Sequence, residues 1–292
     1  MTKTALVLEG GGMRGLYTNG VLDCLMDNHF EADYVIGVSA GACSGVSYVS
    51  GQRGRSYRVN TGYVDDKRYV GFESLVKTKS MFGMDFIFDE IPNHLDPFDY
   101  EAFLASPMEF VTGVTDADTG RPVYFTKEAV RPGDSTLLRA SSSIPVFSPV
   151  VEFMGGRYLD GGTSDPIPVQ KALDDGCDRV VVVLTRDRSY EKSPEGIRPV
   201  YRHIFHDSPG MVRTLDTRHE VYNRELDKVR RLEREGRAIV IAPDLPVTIG
   251  RFEKDMKKLE DLYKTGMLDA QLAMPRLQKW VQERSAEDGK AE

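Results

Sequence analysis

Apolar positions in the first third of the chain alternate between a strand-like and a helix-like pattern. Thr4-Ala5-Leu6-Val7-Leu8 is a short apolar run that stops at Glu9 and three glycines. From Gly15 to Met26, the residues Leu16, Val21, Leu22, Leu25 and Met26 supply one apolar face at roughly helical spacing. Tyr34-Val35-Ile36 reads as a second buried strand ending at Gly37, and the small residues from Ala40 to Ser47 predict a tightly packed helix. Strand, helix, strand, helix at this spacing predicts a parallel sheet covered on both faces. More strands are predicted at 110–115, 123–126, 150–153 and 157–159. The strongest is Val180-Val181-Val182-Val183-Leu184, a continuous β-branched run of the kind found inside sheets. Residues 238–242 predict one more strand, closed by Pro243.

The C-terminal third is mostly helical in pattern. Val212, Leu215, His219, Tyr222, Leu226 and Val229 recur at steps of three and four and make an apolar stripe. Phe252, Met256, Leu259, Leu262 and Tyr263 begin another such helix. From about Ser285 the chain is polar and expected to fray. Residues 51–107 are the least regular stretch and form a candidate lid or cap.

Composition narrows the class. A chain of 292 residues with 40% hydrophobic and 28% charged residues is globular, which excludes disordered and collagen-like chains. The net charge of −7 argues against a nucleic-acid partner. Three cysteines, Cys24, Cys43 and Cys177, without metal-like spacing fit reduced, buried thiols. No apolar run approaches the roughly 20 residues that cross a bilayer, and the first is too short for a signal peptide. The expectation is a soluble cytoplasmic protein, able to meet a membrane peripherally.

Three glycine-bearing motifs carry the candidate chemistry. Gly10-Gly11-Gly12-Met13-Arg14-Gly15 follows the first strand and opens a helix. Its Gly-x-Gly-x-x-Gly spacing also matches a dinucleotide-binding fingerprint, which needs an acidic group at the end of the next strand. Asp33 lies at the start of that strand instead. A glycine loop before a helix presents free N–H groups to either a phosphate or an oxyanion, and the loop alone leaves both open. Gly37-Val38-Ser39-Ala40-Gly41 sits between a strand and a helix, as a nucleophile elbow requires, and near-absent side chains two residues away permit the sharp turn. Asp160-Gly161-Gly162 follows a predicted strand; alone it reads as a plain turn.

Taken in order, the glycine loop, Gly-x-Ser-x-Gly and Asp-Gly-Gly resemble the patatin-like phospholipase family, in its bacterial branch. Leu138–Phe147 and Asp165-Pro166-Ile167-Pro168 resemble the segments that flank the family's aspartate. The likeness covers roughly Thr4 to Gly176, with Val38 where the elbow often has Thr and Asp165 where Asn is common. It implies a three-layer α/β/α fold with a mainly parallel sheet and a helical C-terminal region. In that reading residues 4–190 form the catalytic core, and 191–292 a mostly helical region whose strand joins the same sheet. It implies a serine acyl hydrolase of lipid esters, phospholipase A- or lysophospholipase-like, without metal or organic cofactor. Ser39 would be the nucleophile and Asp160 its base and then acid. The N–H groups of Gly11, Gly12 and Met13 would form the oxyanion hole, with Arg14 bracing the loop or, as the sharper alternative, facing a lipid phosphate. A general carboxylesterase, an acyltransferase with the same nucleophile, and a non-catalytic lipid- or nucleotide-binding module are the alternatives.

Other residues offer rivals or additions. Ser39, Asp160 and then His203 or His206 would match an α/β-hydrolase triad order, and His203-x-x-His206 a metal pair. His219 falls on the apolar stripe and reads as a packed residue. Met81, Phe82, Met84, Phe86, Ile87 and Phe88 are either core or an acyl groove. Arg53, Arg55 and Arg58 read as a solvated loop, with a phosphate head group as the sharper reading.

Overall fold

The computed structural model describes residues 2–288. In chain order its elements are β1 (Thr4–Leu8), α1 (Gly15–Asp27), β2 (Tyr34–Val38), α2 (Ala40–Val49), α3 (Arg55–Gly62), α4 (Phe72–Thr78), a π-helical segment (Phe86–Leu95), α5 (Tyr100–Ala105) and β3 (Glu109–Asp116). There follow β4 (Pro122–Thr126), α6 (Thr136–Ser141), β5 (Val151–Phe153), β6 (Gly156–Asp160), α7 (Val169–Asp174) and β7 (Arg179–Val183). The chain ends through α8 (Arg198–Ile204), α9 (Pro209–Arg234), β8 (Ala238–Ile241) and α10 (Met256–Asp288).

One eight-stranded sheet runs in the order β5-β6-β3-β2-β1-β7-β8, with β4 on β3. The pairs β3–β2, β2–β1, β1–β7 and β7–β8 are parallel, while β4, β5 and β6 pair antiparallel at the other end. The parallel half explains the continuous apolar runs. Successive side chains of a strand point to opposite faces, and here both faces are covered. Leu6, Leu8, Val181, Val183, Ile239 and Ile241 face one apolar layer with α1, α2 and α10. Ala5, Val7, Val180, Val182, Ala238 and Val240 face the other, with α7 and α9. Each fully buried Val or Leu contributes about 1.5–3 kcal/mol over leaving it in water. The result is a three-layer α/β/α sandwich.

The stripe read along 212–229 is the inner face of α9, where Tyr222, Leu226 and Val229 pack on the sheet. Phe252 precedes α10 rather than beginning it, stacking against Phe82 and Phe147. The helix runs to Asp288, past the expected fray point; residues 289–292 lie outside the described residues. It crosses α1 at backbone contact: a Cβ on Gly20 would lie 2.0 Å from the Tyr263 carbonyl oxygen, and one on Gly266 2.1 Å from that of Tyr17. Tyr17 and Tyr263 then reach across to Asp269 and Asp23, each at 2.7 Å. Residues 51–107, irregular by pattern, are largely short helical pieces, because their apolar residues come in clusters too brief to show a period. No helix among the described residues is long and apolar enough to cross a membrane.

Candidate active site

The site forms where the parallel strands β1 and β2 and the antiparallel strand β6 end. Ser39 leaves β2 with φ 53° and ψ −128° and is immediately followed by α2. A non-glycine residue in that region is strained, and strain of this kind persists only when the surroundings fix it. The flanking glycines are what allow the bend. A Cβ on Gly37 would lie 2.6 Å from the Ala42 nitrogen, and one on Gly41 2.4 Å from the Leu8 carbonyl oxygen. The Ser39 N–H is taken up by the Ser141 hydroxyl at 2.9 Å, which itself donates to the Gly113 carbonyl at 2.7 Å.

Asp160, the last residue of β6, lines the same cleft as Ser39, and both are nearly buried, at 7% and 6% exposure. Burial raises the Asp160 pKa above the ordinary carboxylate value. The Ser39 hydroxyl, Arg218, the Gly162 N–H and Arg251 act against that rise without cancelling it. The Gly162 N–H donates to Asp160 Oδ1 at 2.7 Å, which fixes one carboxylate oxygen. Gly161 passes so close to β3 that a Cβ there would meet the Gly113 carbonyl oxygen at 2.1 Å. The sequence thus brings its second and third motifs together in space.

The glycine loop lies beside them. Gly10 abuts Ser39: a Cβ on it would come within 3.0 Å of the Ser39 Cβ, and one on Gly15 within 3.0 Å of the Ala40 Cβ. Gly11 and Gly12 line the cleft, and their N–H groups find no protein acceptor among the described residues. Gly12 holds φ +58°, and a Cβ on it would lie 2.6 Å from the Arg251 carbonyl oxygen. Met13 differs from the expectation. Its N–H donates to the Arg251 carbonyl at 3.1 Å, so it is not available to an oxyanion. The loop amides without a protein acceptor among the described residues are those of Gly10, Gly11 and Gly12, because the segment before α10 caps the one at Met13.

Several residues of the site carried no signal in the sequence. Glu9 is buried and accepts from the Thr185 N–H at 2.6 Å and the Tyr222 hydroxyl at 2.8 Å, which ties the loop's start to α9 and the end of β7. Arg218 of α9 donates through Nε to the Gly162 carbonyl at 2.8 Å and pairs with Glu195 at 2.7 Å. Arg14 does not brace the loop through a salt bridge. Its side chain is 6% exposed, lines the cleft, and leaves Nε without a partner. A charged residue read from sequence alone looks solvated, and only long-range folding put these inside.

Two clefts meet at Ser39, sharing Gly12 and Ile144. The first, about 960 Å³ out to solvent, is mixed in lining and holds Asp160 with Arg14, Arg186, Lys192, Arg218 and Arg251. The second, about 920 Å³, is walled by Val46, Phe82, Met84, Ile87, Phe88 and Leu138. The apolar patch of 81–88 is therefore divided: four of its members line this second cleft, while Phe86 packs in the core at 5% exposure. Arg53 pairs with Asp27, and Arg55 and Arg58 with Asp96, so none is a loose loop cation; Arg55 is 7% exposed and faces the apolar cleft. Asp33 holds the Thr4 N–H at 2.8 Å, an anchor for β1 rather than a ribose ligand. None of the five histidines lines either cleft; His203 and His206 stack on one another at the surface, and His206 is beside Asp207. Among the described residues no group of three His, Cys, Asp or Glu side chains could hold a metal. All three cysteines are free, and Cys43 lines the apolar cleft.

Comparison with known proteins bears on both halves of the chain. Residues 6–173 match the model of the patatin-like phospholipase family, and residues 208–282 that of a domain of unknown function, DUF6363. An uncharacterized protein of Escherichia coli (strain K12), YjjU, is 26% identical over 97% of this chain and 80% of its own length. An uncharacterized NTE family protein of Mycobacterium bovis is 24% identical over 62% of this chain. Lysophospholipase NTE1 of Candida glabrata is 25% identical over 61% of it. The chain spans 48% of the mycobacterial relative and 10% of the yeast one.

Proposed function

Because the chain belongs to the patatin-like phospholipase family, we propose that it hydrolyses carboxylic esters of lipids through a Ser39–Asp160 dyad. The observation that carries this reading is the strained Ser39 facing a buried Asp160 beneath the free amides of Gly11 and Gly12. A serine hydroxyl is a weak nucleophile until a base takes its proton. Asp160 is suited to that task because burial lifts its proton affinity toward the working range. The Ser39 oxygen attacks the acyl carbon as its proton passes to Asp160. The developing oxyanion is met by the Gly11 and Gly12 N–H groups, each such donor being worth about 3–4 kcal/mol in the transition state. Protonated Asp160 then delivers its proton to the leaving alcohol. The acyl-serine is released when Asp160 takes a proton from water and the step runs again.

The apolar cleft suits an acyl chain, since Phe82, Ile87 and Phe88 offer it apolar contact. An encounter with a lipid surface from the cytoplasmic side belongs to the same reading. Labelling with a fluorophosphonate probe tests the chemistry: one adduct is expected, lost in Ser39→Ala, and an adduct that survives that substitution overturns the dyad. A screen of p-nitrophenyl esters of graded length beside phospholipids and lysophospholipids tests the substrate class. Turnover of short esters alone would make the protein a general carboxylesterase.

A further inference from the structure

We infer that the charged cleft is a phosphate subsite, and that the ester cleaved at Ser39 has a leaving group bearing a phosphomonoester, as in a 1-acylglycerol 3-phosphate. The inference rests on the hydrolase reading above and deepens it.

The two clefts are chemically unlike, and Ser39 stands where they join. An ester bound there must lay its acyl part along one and its alcohol part along the other. Asp160 decides which: it lines the charged cleft and not the apolar one. The group that protonates the departing oxygen must be within reach of it, so the alcohol leaves on the charged side.

That side is built for an anion. Five cations line it against three carboxylates, Glu9, Asp160 and Glu195. Glu195 pairs with Lys192 at 3.0 Å and with Arg218 at 2.7 Å, while Glu9 is taken up by Thr185 and Tyr222. Arg14, Arg186 and Arg251 have no carboxylate within ion-pair distance among the described residues. Arg186 instead donates to the Val247 carbonyl at 2.9 Å and lies over the Tyr190 ring, while the Arg14 Nε is buried and unpartnered. Burial and the neighbouring cations depress three of the five, Arg14, Lys192 and Arg251. Arg14 falls to about 10 through burial and then Arg186, and Lys192 to about 8 through burial and then Arg218. Arg251 is lowered by burial and then by Arg218. Unpaired guanidinium groups crowded in a half-closed cleft cost free energy that a bound oxyanion would recover, and guanidinium matches phosphate in shape as well as charge. A dianionic monoester answers the excess of positive charge better than a zwitterionic head group.

The reaction balances as a hydrolysis. The bond between the acyl carbon and the glycerol oxygen breaks, water supplies the oxygen of the fatty acid, and glycerol 3-phosphate departs with the proton from Asp160.

Kinetics on two substrates with the same acyl chain, 1-oleoylglycerol 3-phosphate and 1-oleoylglycerol in mixed micelles, test it. The wild type is expected to favour the phosphate by about 30-fold in kcat/KM, the effect of one or two charge-assisted contacts. Arg251→Gln is expected to cut that ratio about tenfold, and Arg251→Lys to cut it less. Should Arg251→Gln fail to fold, the wild type still answers: glycerol 3-phosphate should inhibit p-nitrophenyl ester hydrolysis competitively, with inhibition weakening as salt rises. Equal turnover of both lipids overturns the phosphate subsite and leaves the hydrolase standing. So does inhibition by inorganic phosphate without any substrate preference, which would mark a site for the free anion. No turnover of either lipid, with Ser39 unlabelled by fluorophosphonate, removes the hydrolase reading and the subsite together.

Discussion

The main-chain N–H of Ser39 is held by the hydroxyl of Ser141 at 2.9 Å, and that hydroxyl is anchored in turn on the Gly113 carbonyl. Positive φ at Ser39 is thus fixed from α6 and β3 rather than by the elbow alone. Ser141→Ala leaves a buried N–H without an acceptor and loosens the bend. The expected result is a kcat lower by roughly tenfold with KM little changed, and a fall in Tm for about 1–3 kcal/mol of lost stability. A drop in Tm with kcat intact would show that Ser141 is structural only.

Asp160→Asn keeps the shape and the acceptor for the Gly162 N–H while removing the base. Ester hydrolysis should fall by at least about a thousandfold. Stability should move the other way. The native pKa of Asp160 is raised, so its favourable contribution is full below pH 3.8 and is lost as pH rises through the native value. An uncharged Asn escapes that loss, and the variant should melt higher than the wild type at pH 7, with the gap closing toward pH 4. The wild-type pH–rate profile should show an acidic limb above 3.8. A variant that melts lower at neutral pH would contradict the burial argument.

Gly12→Ala confronts two obstacles at once, the φ of +58° and the Arg251 carbonyl 2.6 Å from the new Cβ. The loop must shift, and with it the free amides of Gly11 and Gly12. A loss of about a hundredfold in kcat is expected, larger than any loss in fluorophosphonate affinity. Full activity in this variant would remove the oxyanion role from the loop.

His203→Ala, His206→Ala and His219→Ala should each hydrolyse within about threefold of the wild type, since none lines either cleft. A loss above about a hundredfold in any one of them would restore the triad reading.

Asp165 accepts from the Tyr124 hydroxyl at 2.5 Å, and burial pushes its pKa up to about 6 against that hydrogen bond. Its contribution is therefore full below pH 3.8 and lost as pH rises through about 6. Asp165→Asn should stabilise the fold at pH 7 by up to roughly 3 kcal/mol, with the gain shrinking by pH 4. Denaturant titrations at the two pH values measure it, and a pH-independent difference would contradict the cause given.

The sequence made the sheet legible because its parallel strands are buried on both faces. Leu6 to Leu8 and Val180 to Val183 announce themselves without any periodicity. The three glycine motifs were legible for a similar reason, since a backbone that passes within van der Waals contact tolerates little else. What escaped was set by distance along the chain. Nothing near Met13 says that its amide will meet the carbonyl of Arg251, and nothing in Arg14, Arg186, Arg218 or Arg251 says that they will share one cleft. Residues 51–107 hid their helices because each piece is shorter than the window in which an amphipathic period appears.

Four of the five cations beside Ser39 come from beyond residue 173, where the match to the family's model ends, and only Arg14 from within it. The three glycine motifs and most of the cleft's cations therefore lie in different stretches of the chain. A chimera that kept residues 6–173 and exchanged the remainder would inherit a reaction while changing the molecules offered to it, provided that something still capped the amide of Met13.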